Sequence, residues 1–320
     1  MLVLTHRFGR LGNRLLITAH LMAYALEMNH TLIDWGLAEY TPYFIGTAVD
    51  PYVFRFPPRQ DMWNRIPVNQ QWLRNTIYTG VRGVRKLVNF YPSLKQEIQV
   101  LPEPNKHWGN PLIIDNLIVK KALFIRAWYV RAPHCFIKYQ HTIRECFTPL
   151  PEYQKRIEEL LKPLRDQYDV IVGLHIRAGD YRLYGGFHGL EVWRIVMKKM
   201  VHELAGKRVG FLIFSDENFR DQSDVFADFS VYFGSGQVVE DLYALAQCDY
   251  IIAPPSTYSN WAAFYGSVPI YQVGYVKLHT HDPVCHDLGA SQQRMEQSMS
   301  ELNLEKFRRI TYFVDHRIDP

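Results

Sequence analysis

Along the first 35 residues the apolar positions change period twice. Leu2-Val3-Leu4 is a short continuous run of the kind a strand buried on both faces needs. From Leu15 to Met28 the residues Leu15, Leu16, Ala19, Leu21, Met22, Ala25 and Leu26 recur at helical spacing, and Thr31-Leu32-Ile33 resumes a strand. Between them, His6-Arg7-Phe8-Gly9-Arg10-Leu11-Gly12-Asn13 is largely polar and carries glycine, so the chain opens as strand, loop, helix, strand. Residues 36–110 are punctuated by Pro42, Pro51, Pro57, Pro58, Pro67, Pro92, Pro102 and Pro104, which predicts short helices and loops.

The second half is more regular. The pattern predicts helices over 151–165, 189–204, 239–247 and 257–265, interleaved with strands at 169–176, 209–215, 230–233, 250–253 and 268–273. Strands alternating with helices make a parallel sheet covered on both faces, so the chain is α/β. Pro149 and Pro151 precede a charged helix and place a domain boundary within 150–168. A chain of 320 residues suits two domains, drawn as 1–160 and 161–320.

Composition narrows the partners. Hydrophobic residues make up 48% and charged residues 21%, as in a globular protein rather than a disordered one. The formal charge of +4 is too small for a general nucleic-acid-binding field, and it suits an anionic ligand or contact with an anionic membrane surface. Arg74, Arg82, Arg85 and Lys86, with Lys120, Lys121, Arg126 and Arg131, carry that excess and read as a solvated face. Cys135, Cys146, Cys248 and Cys285 form no CxxC pair and read as free thiols of a reducing compartment. With no signal-like opening and no run of about 18 apolar residues, the expected location is cytoplasmic, with at most peripheral membrane contact.

The strongest chemical signal is Val172-Gly173-Leu174-His175-Ile176-Arg177-Ala178-Gly179-Asp180-Tyr181, where a buried strand ends in His, Arg and Asp. His175 and Arg177 are two apart and leave an extended strand by the same face. Ligands of open parallel sheets bind beyond the carboxyl ends of strands, where a guanidinium offers a planar fork of donors to phosphate. A plain strand-end salt bridge is the alternative. Gly9 and Gly12 allow close backbone approach to a ligand near Asn13 at a helix start, though a tight turn also wants glycine. Phe214-Ser215-Asp216-Glu217 takes a strand into an acidic turn, which also suits the N-cap of the next helix. Ser256, Thr257 and Ser259 at a helix start suit phosphate oxygens, and Asp241 either favours its own helix dipole or contacts a ligand. His279, His281, Asp282, Cys285 and His286 could form a metal cage, but their spacing fits no standard template and no metal is expected.

The segment from His175 to Asp180 resembles the His-x-Arg-Arg-x-Asp donor motif of the α1,2-, α1,6- and protein O-fucosyltransferase superfamily, with the bacterial α1,2-like group nearest, and Ala178 stands where the second Arg is usual. Gly9-Arg10-Leu11-Gly12-Asn13-Arg14 resembles the superfamily's Gly-x-x-Gly-Asn-Gln loop, with Arg14 for Gln. Glu240-Asp241, Cys248 and Ser256-Thr257-Tyr258-Ser259-Asn260-Trp261 are similar to further pieces of the same pattern. The resemblance covers the first 30 residues and about 168–275. It implies a GT-B fold, two Rossmann-like lobes with a donor cleft between them, and an inverting, metal-independent transfer of fucose from GDP-fucose to a glycan, glycolipid or peptide hydroxyl. No cofactor is implied beyond the donor itself. A last short helix over 297–309, packing back across the two lobes, is expected from family habit more than from spacing. By resemblance Arg177 is the pyrophosphate ligand, His175 and Asp216 face the nucleoside, Ser256 and Thr257 lie nearer the phosphates, and the first lobe presents Asn13 and holds the acceptor. Asp180, His188 and Glu191 are the candidate bases, around a loop made flexible by Gly185, Gly186 and Gly189. A GT-B transferase for another nucleotide sugar, or an inactive nucleotide-sugar-binding protein, is the alternative reading.

Overall fold

The computed structural model describes residues 1–47, 53–58, 72, 76, 79–80, 83, 98–101, 111–119, 121–183, 189–273, 297 and 301–311; of Asp180 and Leu183 it describes the backbone alone. The chain divides into two compact units, Met1–Leu150 and Pro151–Pro320.

In the first unit, strand β1 (Leu2–Leu4) leads through the Gly9 loop into helix α1 (Leu11–Glu27) and strand β2 (Leu32–Asp34). Strands β3 (Phe54–Phe56), β4 (Ile98–Leu101) and β6 (Ala122–Ile125) complete a sheet of order β3-β2-β1-β6-β4, in which only β3 runs antiparallel to its neighbour. The short pair β5 (Leu112–Ile113) and β7 (Val130–Arg131) stands apart, and helices α2 (Pro133–Lys138) and α3 (Gln140–Cys146) follow. Thus the proline-rich stretch is not loop and helix throughout: it supplies both edges of the sheet. Its prolines flank the strands instead of interrupting them, since β3 ends before Pro57 and β4 before Pro102.

The second unit opens on helix α4 (Pro151–Gln167), whose buried stripe Ile157, Leu161 and Leu164 packs on helix α7 (Val238–Leu245). The break between units therefore precedes this helix rather than falling at 160. Five parallel strands follow: β8 (Val170–Ile176), β9 (Val209–Ser215), β10 (Val231–Phe233), β11 (Tyr250–Ala253) and β12 (Ile270–Gln272), in the order β10-β9-β8-β11-β12. The order runs outward one way from β8 and then the other way from β11, so the topological switch point lies between these two.

Alternation along β8 sorts its side chains. Val172, Leu174 and Ile176 enter the core with Trp193, Val196, Met197 and Met200 of helix α6 (Leu190–Glu203). On the other face a Cβ at Gly173 would stand 2.6 Å from Leu245 and 2.9 Å from Cys248, so α7 and the turn after it press directly on the strand. Helix α8 (Thr257–Gly266) follows β11. The expected terminal helix is present at Gln297 and Glu301 but does not reach 309: residues 304–306 form one 3-10 turn, and Arg308 bridges antiparallel to Ile270. Leu302 and Phe307 supply the apolar contacts, Phe307 against Tyr250 and Tyr271.

Arg131 does not belong to a solvated face. It is fully buried, its guanidinium donating to the carbonyls of Trp128 and Val130 with the indole of Trp128 4.7 Å away. The other charges read with it lie partly outside the described residues. Cys135, Cys146 and Cys248 are free and buried, whereas Cys285 lies outside. Among the described residues no helix is long and apolar enough to cross a membrane.

Candidate functional site

The carboxyl ends of β8 and β9 meet at Asp216. Its carboxylate accepts the amides of Ala178 (2.9 Å) and Gly179 (3.3 Å), and the Arg177 guanidinium stands 3.5 Å away. These amides open the short helix α5 (Gly179–Leu183), so Asp216 caps a helix of the neighbouring strand's loop and not the one that follows it in sequence. The turn after β9 is closed by Ser215, whose hydroxyl accepts the Glu217 amide at 3.1 Å. Arg182 of α5 then grips Glu217 with two nitrogens, at 3.0 and 2.7 Å. A Cβ on Gly179 would meet an Asp216 oxygen at 2.7 Å, so any larger residue here would have to push the carboxylate aside. Ala178, standing where the resembling motif carries its second Arg, is fully buried in the core.

Across the switch point, Ser256 caps α8 by accepting the amide of Tyr258 at 3.3 Å. Thr257 begins the helix, and the Ser259 hydroxyl donates to the carbonyl of Ser256 at 3.1 Å. The His175 ring packs against the Tyr258 ring with centroids 5.0 Å apart. Tyr181 joins the two sides: its hydroxyl donates to the carbonyl of Pro255, and its ring lies 5.7 Å from the Arg177 guanidinium carbon.

Burial and charge set the protonation states. His175 is only 4% exposed and its Nδ1 has no hydrogen-bond partner among the described residues. Burial, then the nearby Arg177 charge, push its pKa down to about 3 against the opposing pull of Asp216, so the ring is neutral at physiological pH. For Asp216 burial acts to raise the pKa, but the Ala178 amide, Arg177, the Gly179 amide and His175 together outweigh it and hold the carboxyl below its ordinary value. Tyr258 is pushed well up by burial and by Asp241, partly offset by Arg177, and stays a neutral phenol.

The remaining candidates fall in several places. Asp241 is buried, and its carboxylate accepts the Ser235 amide (2.7 Å), the Ser235 hydroxyl (3.1 Å) and the Gly236 amide (3.1 Å), so it shapes the turn before α7. Burial leads in raising its pKa. Glu191 lies in the first turn of α6 with its side chain 73% exposed, 3.8 Å from Arg194. His188, the side chain of Asp180 and the histidine-rich segment 278–286 lie outside the described residues. Among the described residues no group of three or more His, Cys, Asp or Glu could hold a metal. Gly9, Gly12 and Asn13 belong to the first unit. Gly9 has φ +57°, and a Cβ there would stand 2.1 Å from the Asn13 amide, so glycine is required for this turn.

No family model matches the sequence, and no curated protein matches it either. Solved structures do. The chain is similar to an Arabidopsis thaliana FUT1 mutant in complex with GDP at a TM-score of 0.53 and 14% identity, covering 89% of this chain and 73% of that one. Against NodZ α-1,6-fucosyltransferase soaked with GDP-fucose the TM-score is 0.51 at 17% identity, over 87% and 96% of the two chains. The selenomethionine form of fucosyltransferase NodZ from Bradyrhizobium gives 0.50 at 17%, over 85% and 94%. At these identities the likeness establishes a shared fold.

The second-unit residues His175, Arg177, Asp216, Ser256 and Thr257 thus gather around the carboxyl ends of three adjacent strands. A guanidinium on one side of the switch point and a helix N-terminus on the other both favour an anion. Sequence reasoning gave no role to Tyr181 or Tyr258. Tyr181 was visible as the residue directly after the His-x-Arg-x-x-Asp pattern, but its partner Pro255 is 74 residues away. Only the pairing of β8 with β11 reveals it.

Proposed function

We propose that this chain transfers fucose from GDP-fucose to a hydroxyl of a glycan, glycolipid or peptide acceptor, as an inverting, metal-independent transferase of the GT-B kind. One observation carries the reading: Arg177 is held by Asp216 at the carboxyl end of β8, at the switch point of a parallel sheet, with the start of α8 on the neighbouring strand. The shared fold with a GDP complex of FUT1 and with NodZ soaked with GDP-fucose supports it.

In this reading the acceptor oxygen attacks the anomeric carbon while the bond from that carbon to the β-phosphate oxygen breaks. The electron pair leaves with GDP. Arg177 and the positive end of α8 stabilise the charge that develops on the departing diphosphate, with Ser256 and Thr257 beside the phosphates. His175 and Asp216 belong to the nucleoside side, and Asn13 of the Gly9-Gly12 loop serves the donor. The hydroxyl proton passes to one of Asp180, His188 or Glu191; an oxocarbenium-like transition state asks little basicity of it.

Calorimetry with GDP, followed by incubation with GDP-fucose and a panel of glycan, glycolipid and peptide acceptors, tests the reading. GDP release that needs an acceptor and persists in EDTA is expected. Absence of GDP binding overturns it. Donor binding without turnover on any acceptor instead marks an inactive nucleotide-sugar-binding protein, and turnover of a different nucleotide sugar moves the chain to another donor.

A further inference from the structure

We infer that Tyr181 is a positioning residue that holds Arg177 and the start of α8 in one arrangement for a diphosphate, an inference that rests on the nucleotide-sugar reading above. Helix α5 sits between two strand ends. On the β9 side it is tied by Asp216, which accepts the Ala178 and Gly179 amides, and by Glu217, which pairs with Arg182. On the β11 side the tie is Tyr181, whose hydroxyl reaches the carbonyl of Pro255. Pro255 immediately precedes Ser256, the cap of α8. A displacement of Pro255 therefore displaces the first turn of that helix.

The same ring faces the Arg177 guanidinium carbon at 5.7 Å, opposite in role to Asp216 at 3.5 Å. The carboxylate supplies charge and the ring supplies a wall. Together they restrict the rotamers of a side chain that is only 16% exposed. An arginine already confined in this way loses less conformational entropy when it takes a phosphate oxygen. Tyr181 thus acts on both halves of the anion cradle at once, through its ring on Arg177 and through its hydroxyl on the Ser256 turn.

The test uses the full chain, with GDP titrated by calorimetry and guanosine by ligand-observed NMR. Tyr181→Phe keeps the ring and loses the bond to Pro255, and GDP affinity is expected to fall about threefold; Tyr181→Leu loses both contacts, for a fall of about tenfold. Guanosine affinity stays unchanged in both. In an Arg177→Met background Tyr181→Leu is expected to cost about threefold instead of tenfold, the share of the Pro255 bond, because the guanidinium its ring positions has gone. Equal losses for GDP and guanosine, or full additivity with Arg177→Met, mean a structural role only and overturn the proposal. So does a Tyr181→Leu variant with wild-type GDP affinity. Should Tyr181→Leu fail to fold, Tyr181→Phe alone decides by its GDP-to-guanosine contrast. A wild-type chain that takes up neither GDP nor pyrophosphate fails the nucleotide-sugar reading itself, and Tyr181 falls with it.

Discussion

Arg177 and Asp216 face each other at 3.5 Å across the carboxyl ends of two adjacent parallel strands, and each has a second task. Asp216 carries the two amides that open α5, while the guanidinium carbon of Arg177 lies 5.7 Å from the Tyr181 ring. Arg177→Ala is expected to abolish turnover and to weaken GDP binding by about 10- to 100-fold, as for loss of a charge-assisted hydrogen bond. Calorimetry and a turnover assay check this, and a near-normal rate removes Arg177 from the mechanism.

Removing the other partner acts on folding as well. Asp216→Ala leaves the Ala178 and Gly179 amides without their acceptor, for an expected loss of about 1–3 kcal/mol in denaturant unfolding. Arg177→Ala leaves that acceptor in place. Its unfolding midpoint should lie well above that of Asp216→Ala, and equal midpoints would show that the pair contributes only as an ion pair.

His175 and Asp34 pull the pH dependence of stability in opposite directions. The His175 pKa lies near 3 in the native state and around 6.5 in the unfolded chain, so the unfolded state binds more protons between these values. Its contribution is complete above about pH 6.5 and drains away as pH falls toward 3. Imidazole NMR signals should remain those of a neutral ring at about pH 5, whereas a midpoint near the unperturbed 6.5 would overturn the assignment.

Asp34 is fully buried at the end of β2, where it accepts the hydroxyl of Thr18 and the amides of Gly36 (2.6 Å) and Leu37 (3.2 Å). Burial raises its pKa to about 6, although those bonds and Arg14 act to lower it. The native state therefore binds more protons than the unfolded one between the ordinary carboxyl range and about 6. The stability Asp34 contributes is fully present at low pH and is lost as pH rises through about 6. A carboxyl carbon titration should give that midpoint, and Asp34→Asn should flatten this part of the stability profile.

Gly266 ends α8 where the Ala246 carbonyl oxygen would stand 1.8 Å from an added Cβ. Because the obstacle is backbone, Gly266→Ala should cost about 3 kcal/mol or more, or prevent folding. Gly189, with nothing within 4 Å of its Cβ position, is the control; Gly189→Ala should change the unfolding midpoint little. Similar behaviour of the two variants would contradict the tight crossing of the α7 and α8 ends.

Much of the second unit could be read from the chain. The helices predicted at 189–204 and 257–265 occur at Leu190–Glu203 and Thr257–Gly266, and the strand predicted at 209–215 at Val209–Ser215. The apolar signal is strong there because the central strands β8, β9 and β11 are buried on both faces. The edge strands β3 and β4 escaped notice, being short, partly exposed and bounded by proline, so that period gave no signal.

By itself the sequence determined the alternation of strands and helices, the placement of His175 and Arg177 at a strand end, and the glycine at position 9. These follow from local rules: side-chain period, and a left-handed turn that a Cβ would obstruct. Only the tertiary structure decided that Asp216 caps α5 instead of its own following helix, that Arg131 is buried, and that Tyr181 reaches Pro255. Each depends on which strands lie side by side, and strand order is set by packing of the whole sheet, over separations that no local pattern encodes.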